Sequence, residues 1–159
     1  MHGQAPRRKG LRFEREVVDQ ASRLGLEAER SWGSDGRSRG LPANVDVVVR
    51  SPIFGEVYLQ CKRRRAVPHR LEQVKTAHEV FRVRTSQGVC YLLWYTTLLE
   101  ILAGARREVV LSEPRGRALG ATWHPTTHVL VFRANRSVAK ALVSETLWHQ
   151  LTRHLVIYE

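Results

Sequence analysis

The stretch Val45 to Lys62, VDVVVRSPIFGEVYLQCK, holds two runs of β-branched and aromatic residues around a connector that contains Pro52 and Gly55. Such runs read as strands over residues 45–50 and 57–62, joined by the five residues 51–55 into a hairpin. If the hairpin is symmetric about Ile53, Asp46 lies opposite Gln60 on one face of the sheet. Lys62, two residues on, shares that face, and Cys61 points to the other. Asp46 is one of only three aspartates and stands inside a strand run, where aspartate is disfavoured. Because a one-residue slip exchanges the faces, the Asp–Gln–Lys patch depends on the assumed connector length.

Upstream, residues 10–26 place Leu11, Val17, Val18, Ala21 and Leu24 at helical spacing, with Gly25 as the stop. Glu14 falls in the middle of that apolar stripe. An ionised carboxylate facing a core must meet a cation, a set of donors or a solvent-filled cleft, because burying it alone costs several kcal/mol or more. Residues 1–9, MHGQAPRRK, read as a flexible basic arm, 26–31 as a short strand, and the glycine- and serine-rich stretch from Ser31 to Asn44 as a loop. Downstream, Leu71, Val74, Ala77, His78 and Phe81 form a stripe that predicts a second helix over 68–87, ended by Gly88. Strands are expected over 89–95, 108–111 and 129–133, helices over 98–105 and 144–154, and a loop over 113–120. No internal repeat is visible. The expected class is therefore α/β, a mixed sheet flanked by helices.

The chain has 159 residues, which suits one domain. Twenty-six Lys and Arg against 15 Asp and Glu leave a net charge of +11, with 22 Arg and only 4 Lys, so a polyanion is the expected partner. Arg forks bind phosphate oxygens bidentately, which favours nucleic acid over a membrane surface. The longest apolar stretch, residues 89–104, includes Glu100 and falls short of the roughly 20 residues of a membrane span; with no apolar signal region at Met1, an intracellular protein is expected. Cys61 and Cys90 make no zinc spacing and no disulfide framework. His124 and His128 flank a short turn, but without a third ligand they read as structural.

A carboxylate, an amide oxygen, a second carboxylate from a facing helix and an ammonium together suit a hard divalent cation at a phosphodiester. Glu14, the loop Arg30-Ser31-Trp32-Gly33-Ser34, Asp46 and Gln60-Cys61-Lys62 resemble the PD-(D/E)xK nuclease core. RKGLRFEREVV, the RSWGS loop and Glu72-Gln73 are similar to the archaeal-type Holliday junction resolvases, a family that also occurs in viruses. The likeness covers roughly residues 7–95.

The resemblance implies a homodimer that binds branched double-stranded DNA, the four-way junction, and nicks two strands symmetrically with Mg²⁺ or Mn²⁺. By that likeness Glu14, Asp46, Gln60, Lys62 and Ser34 would be the catalytic set. Glu14, Asp46, Gln60 and the Cys61 carbonyl would serve the metal. DNA contacts are expected from Arg7, Arg8, Lys9, Arg30, Ser31, Trp32, Arg37, Arg39, Arg63, Arg64, Arg65 and Gln73. Residues 10–95 would form the nuclease core, and 96–159 an extension for dimer or DNA contacts.

Two positions depart from the pattern: Val45 stands where a proline precedes the aspartate, and Gln60 where an acid is usual. An amide oxygen can ligate Mg²⁺ but brings no charge. The alternatives are another PD-(D/E)xK nuclease, of repair or restriction type, and a junction-binding protein whose nuclease site Gln60 has silenced.

Overall fold

The computed structural model describes residues 4–31, 43–114 and 116–159, with side chains from Gly10 onward. Its order is α1 (Gln4–Arg23), β1 (Glu27–Arg30), β2 (Val47–Ser51), β3 (Gly55–Arg63), β4 (Glu79–Thr85), β5 (Gly88–Trp94), α2 (Tyr95–Leu102), β6 (Glu108–Ser112), β7 (Val129–Arg133), β8 (Lys140–Ser144), α3 (Glu145–Thr152) and β9 (Val156–Tyr158). The strands form one mixed sheet in the order β1-β2-β3-β7-β8-β5-β4-β6-β9. Neighbours are antiparallel except for the parallel pairs β3–β7, β4–β6 and β6–β9. The chain is thus α/β with a large mixed sheet.

The sheet has two unlike faces. Alternate strand residues, Val47, Val49, Val57, Leu59, Tyr91, Leu93, Val129, Val131, Ala141 and Val143 among them, pack against Phe13, Val17 and Ala21 of α1, Leu98, Leu99 and Leu102 of α2 and Leu147, Trp148 and Leu151 of α3. The Tyr95 hydroxyl donates to the Val17 carbonyl at 2.7 Å and ties α2 to α1 through the core. The other set, Val83, Cys90, Leu92, Leu130, Phe132 and Leu142, is covered by Leu71 and Val74, with Trp94 and Trp123 at its margin. Among the described residues no α-helix covers that second face; residues 64–78, with the 3-10 turn His69–Glu72, and a second 3-10 turn, Ala121–Trp123, lie over it.

The structure corrects the expected second helix. Residues 68–87 contain only a 3-10 turn, His69–Glu72, followed by β4. The stripe from Leu71 to Phe81 fits a helical period, yet Val80, Phe81, Val83 and Thr85 have strand character, and Ser86-Gln87 makes a two-residue hairpin into β5 with Thr85 facing Gly88. Gly88, taken as a helix stop, serves that turn at φ +132°. The expected arm is corrected as well: α1 begins at Gln4, with Pro6 in its first turn, where a missing N–H costs nothing.

Although no repeat shows in the sequence, the units β4-β5-α2-β6 and β7-β8-α3-β9 run alike. Each is an antiparallel hairpin that enters a helix directly and leaves it into a strand. Their central strands pair about Leu92 and Leu142, and both helices start three residues beyond that pair, at Tyr95 and Glu145.

Candidate functional site

The β2–β3 register is the one the symmetric hairpin requires, with Val47 opposite Leu59, Val49 opposite Val57 and Ser51 opposite Gly55. Ser51 sets the turn: its hydroxyl accepts the N–H groups of Ile53 at 3.1 Å and Phe54 at 3.0 Å and donates to the Leu102 carbonyl at 2.6 Å.

At the other end of β2 the ladder is irregular. Asp46 N–H donates to the Leu59 carbonyl at 2.8 Å, although Leu59 is already the partner of Val47. Two consecutive residues thus face one, which is the signature of a β-bulge, and bulges re-aim side chains. Asn44, at φ +69°, bends the chain into it in the left-handed region that asparagine tolerates. The Asp46 carbonyl accepts the Ser31 N–H at 2.9 Å, extending the contact to the end of β1.

The bulge decides the company Asp46 keeps. Its Oδ2 accepts the Cys61 N–H at 2.8 Å. The charges acting on it are those of Glu14 and Arg30. Glu14 projects from α1, and its Oε1 lies 3.2 Å from Arg30 Nε, with the two side chains 19% and 30% exposed. Of the three partners open to Glu14, a cation, a set of donors or a solvent-filled cleft, the structure supplies a cation, Arg30. Burial, reinforced by the negative charge of Glu14, raises the Asp46 carboxyl from 3.8 to about 6, against the lowering effect of the Cys61 N–H and Arg30. The Cys61 thiol packs on the helical face and is pushed well up, by burial first and then by Asp46 and Glu14. It is held as a neutral thiol.

Gln60 and Lys62 share the opposite face, as their spacing predicts. Gln60 Oε1 accepts from Thr126 Oγ1 at 3.2 Å. Lys62 Nζ donates to the Thr122 carbonyl at 2.8 Å and stands 4.9 Å from the centre of the Trp123 ring. Burial and the nearby Arg64 lower the Lys62 ammonium. The expected patch is therefore divided: Asp46 joins Glu14, Arg30 and Cys61, while Gln60 and Lys62 join the 122–126 segment. The reason is the bulge, which moves Asp46 out of alternation without changing the hairpin register.

The remaining expected residues are scattered. Ser31 is 6% exposed, and its hydroxyl has no hydrogen-bond partner among the described residues. Arg63 Nη1 donates to the Arg64 and Arg133 carbonyls, and Arg64 Nη1 to the Arg63 carbonyl, so both forks are partly turned onto backbone. Arg65 is exposed, and Gln73 closes the 3-10 turn with its N–H on the Arg70 carbonyl. Trp32, Ser34, Arg37 and Arg39, and the side chains of Arg7, Arg8 and Lys9, lie outside the described residues. His124 and His128 serve separate contacts: Nδ1 of His124 is 2.7 Å from Thr85 Oγ1, and Nδ1 of His128 accepts the Tyr58 N–H at 3.2 Å.

Sequence reasoning missed Arg133. Its Nη1 lies 2.7 Å from Glu16 Oε2 and its guanidinium stands over Phe13, fastening the middle of α1 to the end of β7. A lone Arg at a strand end carries no signal for this in the sequence.

For a divalent cation, Asp46 and Glu14 offer carboxylate oxygens of the right hardness, one on each already held by a donor. Among the described residues no three His, Cys, Asp or Glu side chains gather at one point. The two carboxylates are thus hard oxygen donors without a third acidic, His or Cys side chain among the described residues, and Gln60 Oε1 does not join them. No described helix is long and apolar enough to cross a membrane. Comparison with family models, with curated proteins and with solved structures finds no match for this chain.

Proposed function

We propose that the protein is a metal-dependent, structure-selective DNA endonuclease of the PD-(D/E)xK type that acts on four-way junctions as a homodimer. The observation that carries this reading is the pairing of two carboxylates from separate elements: Asp46, from the bulge before β2, is held by the Cys61 N–H of β3, and Glu14 of α1 lies near enough for its charge to raise the Asp46 carboxyl. A half-buried carboxylate lifted to about 6 by burial and a second carboxylate is a group poised for a cation. The +11 charge supports a nucleic-acid substrate, bound through phosphates and in a salt-dependent way.

In this reading Asp46 and Glu14 hold Mg²⁺ or Mn²⁺, which when bound neutralises phosphate charge and lowers the pKa of a coordinated water. The Cys61 N–H holds Asp46 through Oδ2, so Oδ1 would be the oxygen available to a cation. Arg30 holds Glu14 and would supply a guanidinium to stabilise negative charge on a phosphate bound there. Thr122 holds the Lys62 ammonium on the far face, so a role for Lys62 at the phosphate requires release from that carbonyl.

A second reading, a junction-binding protein without cleavage, is favoured by one observation: Gln60 and Lys62 stand apart from the carboxylates. Incubating the protein with a labelled immobile junction and a matching duplex, in Mg²⁺, Mn²⁺ or EDTA, decides between them. Paired nicks in the junction alone, lost in EDTA and in Asp46→Ala and Lys62→Ala, are the expected result. Tight junction binding with no nicks in either metal establishes the second reading, with Gln60→Glu as the variant expected to restore cutting. Neither selective binding nor nicking overturns both.

A further inference from the structure

At the hairpin end of β2, about 17 Å from Asp46 by the rise of the strand, lies a separate cavity of about 240 Å³. It is lined by Ile53, Ile101, Gly104, Arg106, Arg107 and His154. Ile53 and Ile101 form an apolar floor, and every charged or titratable side chain on the wall is basic or imidazole. Arg106 is oriented by Glu100, whose Oε2 lies 3.1 Å from Nη2, while its Nε is buried with no hydrogen-bond partner among the described residues. Arg107 is exposed and makes no ion pair among the described residues. Glu100 and Glu108 border the adjoining shallower dish, and Glu108 Oε1 is 3.5 Å from the Tyr158 hydroxyl.

The carbonyls that would make this end of α2 repel an anion are occupied. Leu102 accepts from Ser51, Ile101 from Gly104, and Glu100 from Ala105 and Arg106. Gly104 keeps the wall open: at φ +77° it adopts a conformation that side chains resist, and a Cβ there would come within 2.9 Å of Ile53 Cδ1. His154 is held edge-on by Phe54, with ring centroids 5.1 Å apart.

The geometry points to a phosphate-binding site, in which Arg106 and Arg107 take the phosphate of a nucleic-acid strand and Ile53 and Ile101 face its sugar. The choice of a strand over a free phosphate rests on the DNA reading above; the cavity does not. A guanidinium oriented by a carboxylate, beside an exposed one with no ion pair among the described residues, offers the forked donors that hold phosphate oxygens.

The test is an amide-resolved NMR titration of the full chain with inorganic phosphate, with a nucleoside monophosphate and with a short DNA duplex. Shifts centred on Gly104, Arg106, Arg107 and His154 are expected with all three. Arg107→Ala, at an exposed position, should weaken them roughly fivefold or more and lower the salt slope of duplex binding by about 0.9. Arg107→Lys, which keeps the charge, should recover part of the loss. Absence of shifts at these residues with phosphate, or shifts indifferent to Arg107→Ala, overturns the site. Shifts with phosphate but not with duplex overturn the nucleic-acid source. Phosphate binding here by a protein that neither binds nor nicks a junction would leave the site standing while the nuclease reading fails, and the converse result would separate them the other way.

Discussion

The helical face of the sheet carries a continuous core from Phe13 to Leu151, whereas the opposite face carries a smaller patch around Leu92, Leu130, Phe132 and Leu142 under irregular chain. The acidic pair lies on the first, where helices exclude water and burial moves a carboxyl to about 6. Lys62, Trp123 and the nearly buried Lys140 belong to the second, where a few bonds such as Trp94 Nε1 to the Val74 carbonyl hold the cover in place. The lesson is that cover, as well as residue type, sets what a polar side chain can do. Helical cover fixes a carboxylate and perturbs it; a cover of turns with few backbone bonds opens at lower cost, which is what the proposed role of Lys62 requires.

The largest expected contrast is in stability. Trp148 is 2% exposed and stacks on Tyr91 at 4.7 Å, so Trp148→Ala should cost about 3–5 kcal/mol. Trp123, half-buried against Phe132 and Lys62, should cost roughly 1–2 kcal/mol when cut to alanine. Urea unfolding of both variants checks this. Equal losses would mean that the second face is as rigid as the first.

A smaller effect follows from Asp46. Its folded pKa of about 6 lies above the ordinary 3.8, so the folded state binds more protons between those values. Stability attributable to this group therefore falls as pH rises from about 4 through 6, and the cost is fully present at pH 7. Asp46→Asn keeps an acceptor for the Cys61 N–H and removes the charge. It should flatten the pH dependence between 4 and 6 and stabilise the protein at pH 7 by on the order of 1–2 kcal/mol, after discounting for solvent around a partly exposed group. If the pair holds a divalent cation, Mg²⁺ should raise the unfolding midpoint of the native chain and leave that of Asp46→Asn unmoved.

The same two faces explain what could be read from the sequence. The β2–β3 hairpin was legible because its alternation and its Pro/Gly connector agree, and both are local. β4 was not: Leu71 to Phe81 satisfy a helical period, and the choice for strand comes from pairing with β5 and with the distant β6. For the site, the Glu14 anomaly required some partner without naming one, and the spacing of Gln60 and Lys62 gave their common face. What no alternation could show is the bulge at Asp46, since it depends on Asn44 turning left-handed and on Ser31 reaching the Asp46 carbonyl. One extra residue opposite Leu59 was enough to divide the predicted patch.

The smallest effects concern two ion pairs that cover separates. Arg30 and Glu14 meet at 3.2 Å beneath α1, with 30% and 19% of their side chains exposed, whereas Arg50 and Glu29 meet at 3.0 Å on the opposite face with 42% and 43% exposed. The distances nearly agree, and the clearest difference between the two pairs is exposure. A double-mutant cycle on Glu14 and Arg30 should give a coupling on the order of 1 kcal/mol that survives about 0.5 M NaCl, because a half-buried pair is weakly screened. The cycle on Glu29 and Arg50 should give a smaller coupling that the same salt erases. A surface pair as strong and as salt-resistant as the covered one would break the comparison at its root, since exposure would then not be what distinguishes the two faces.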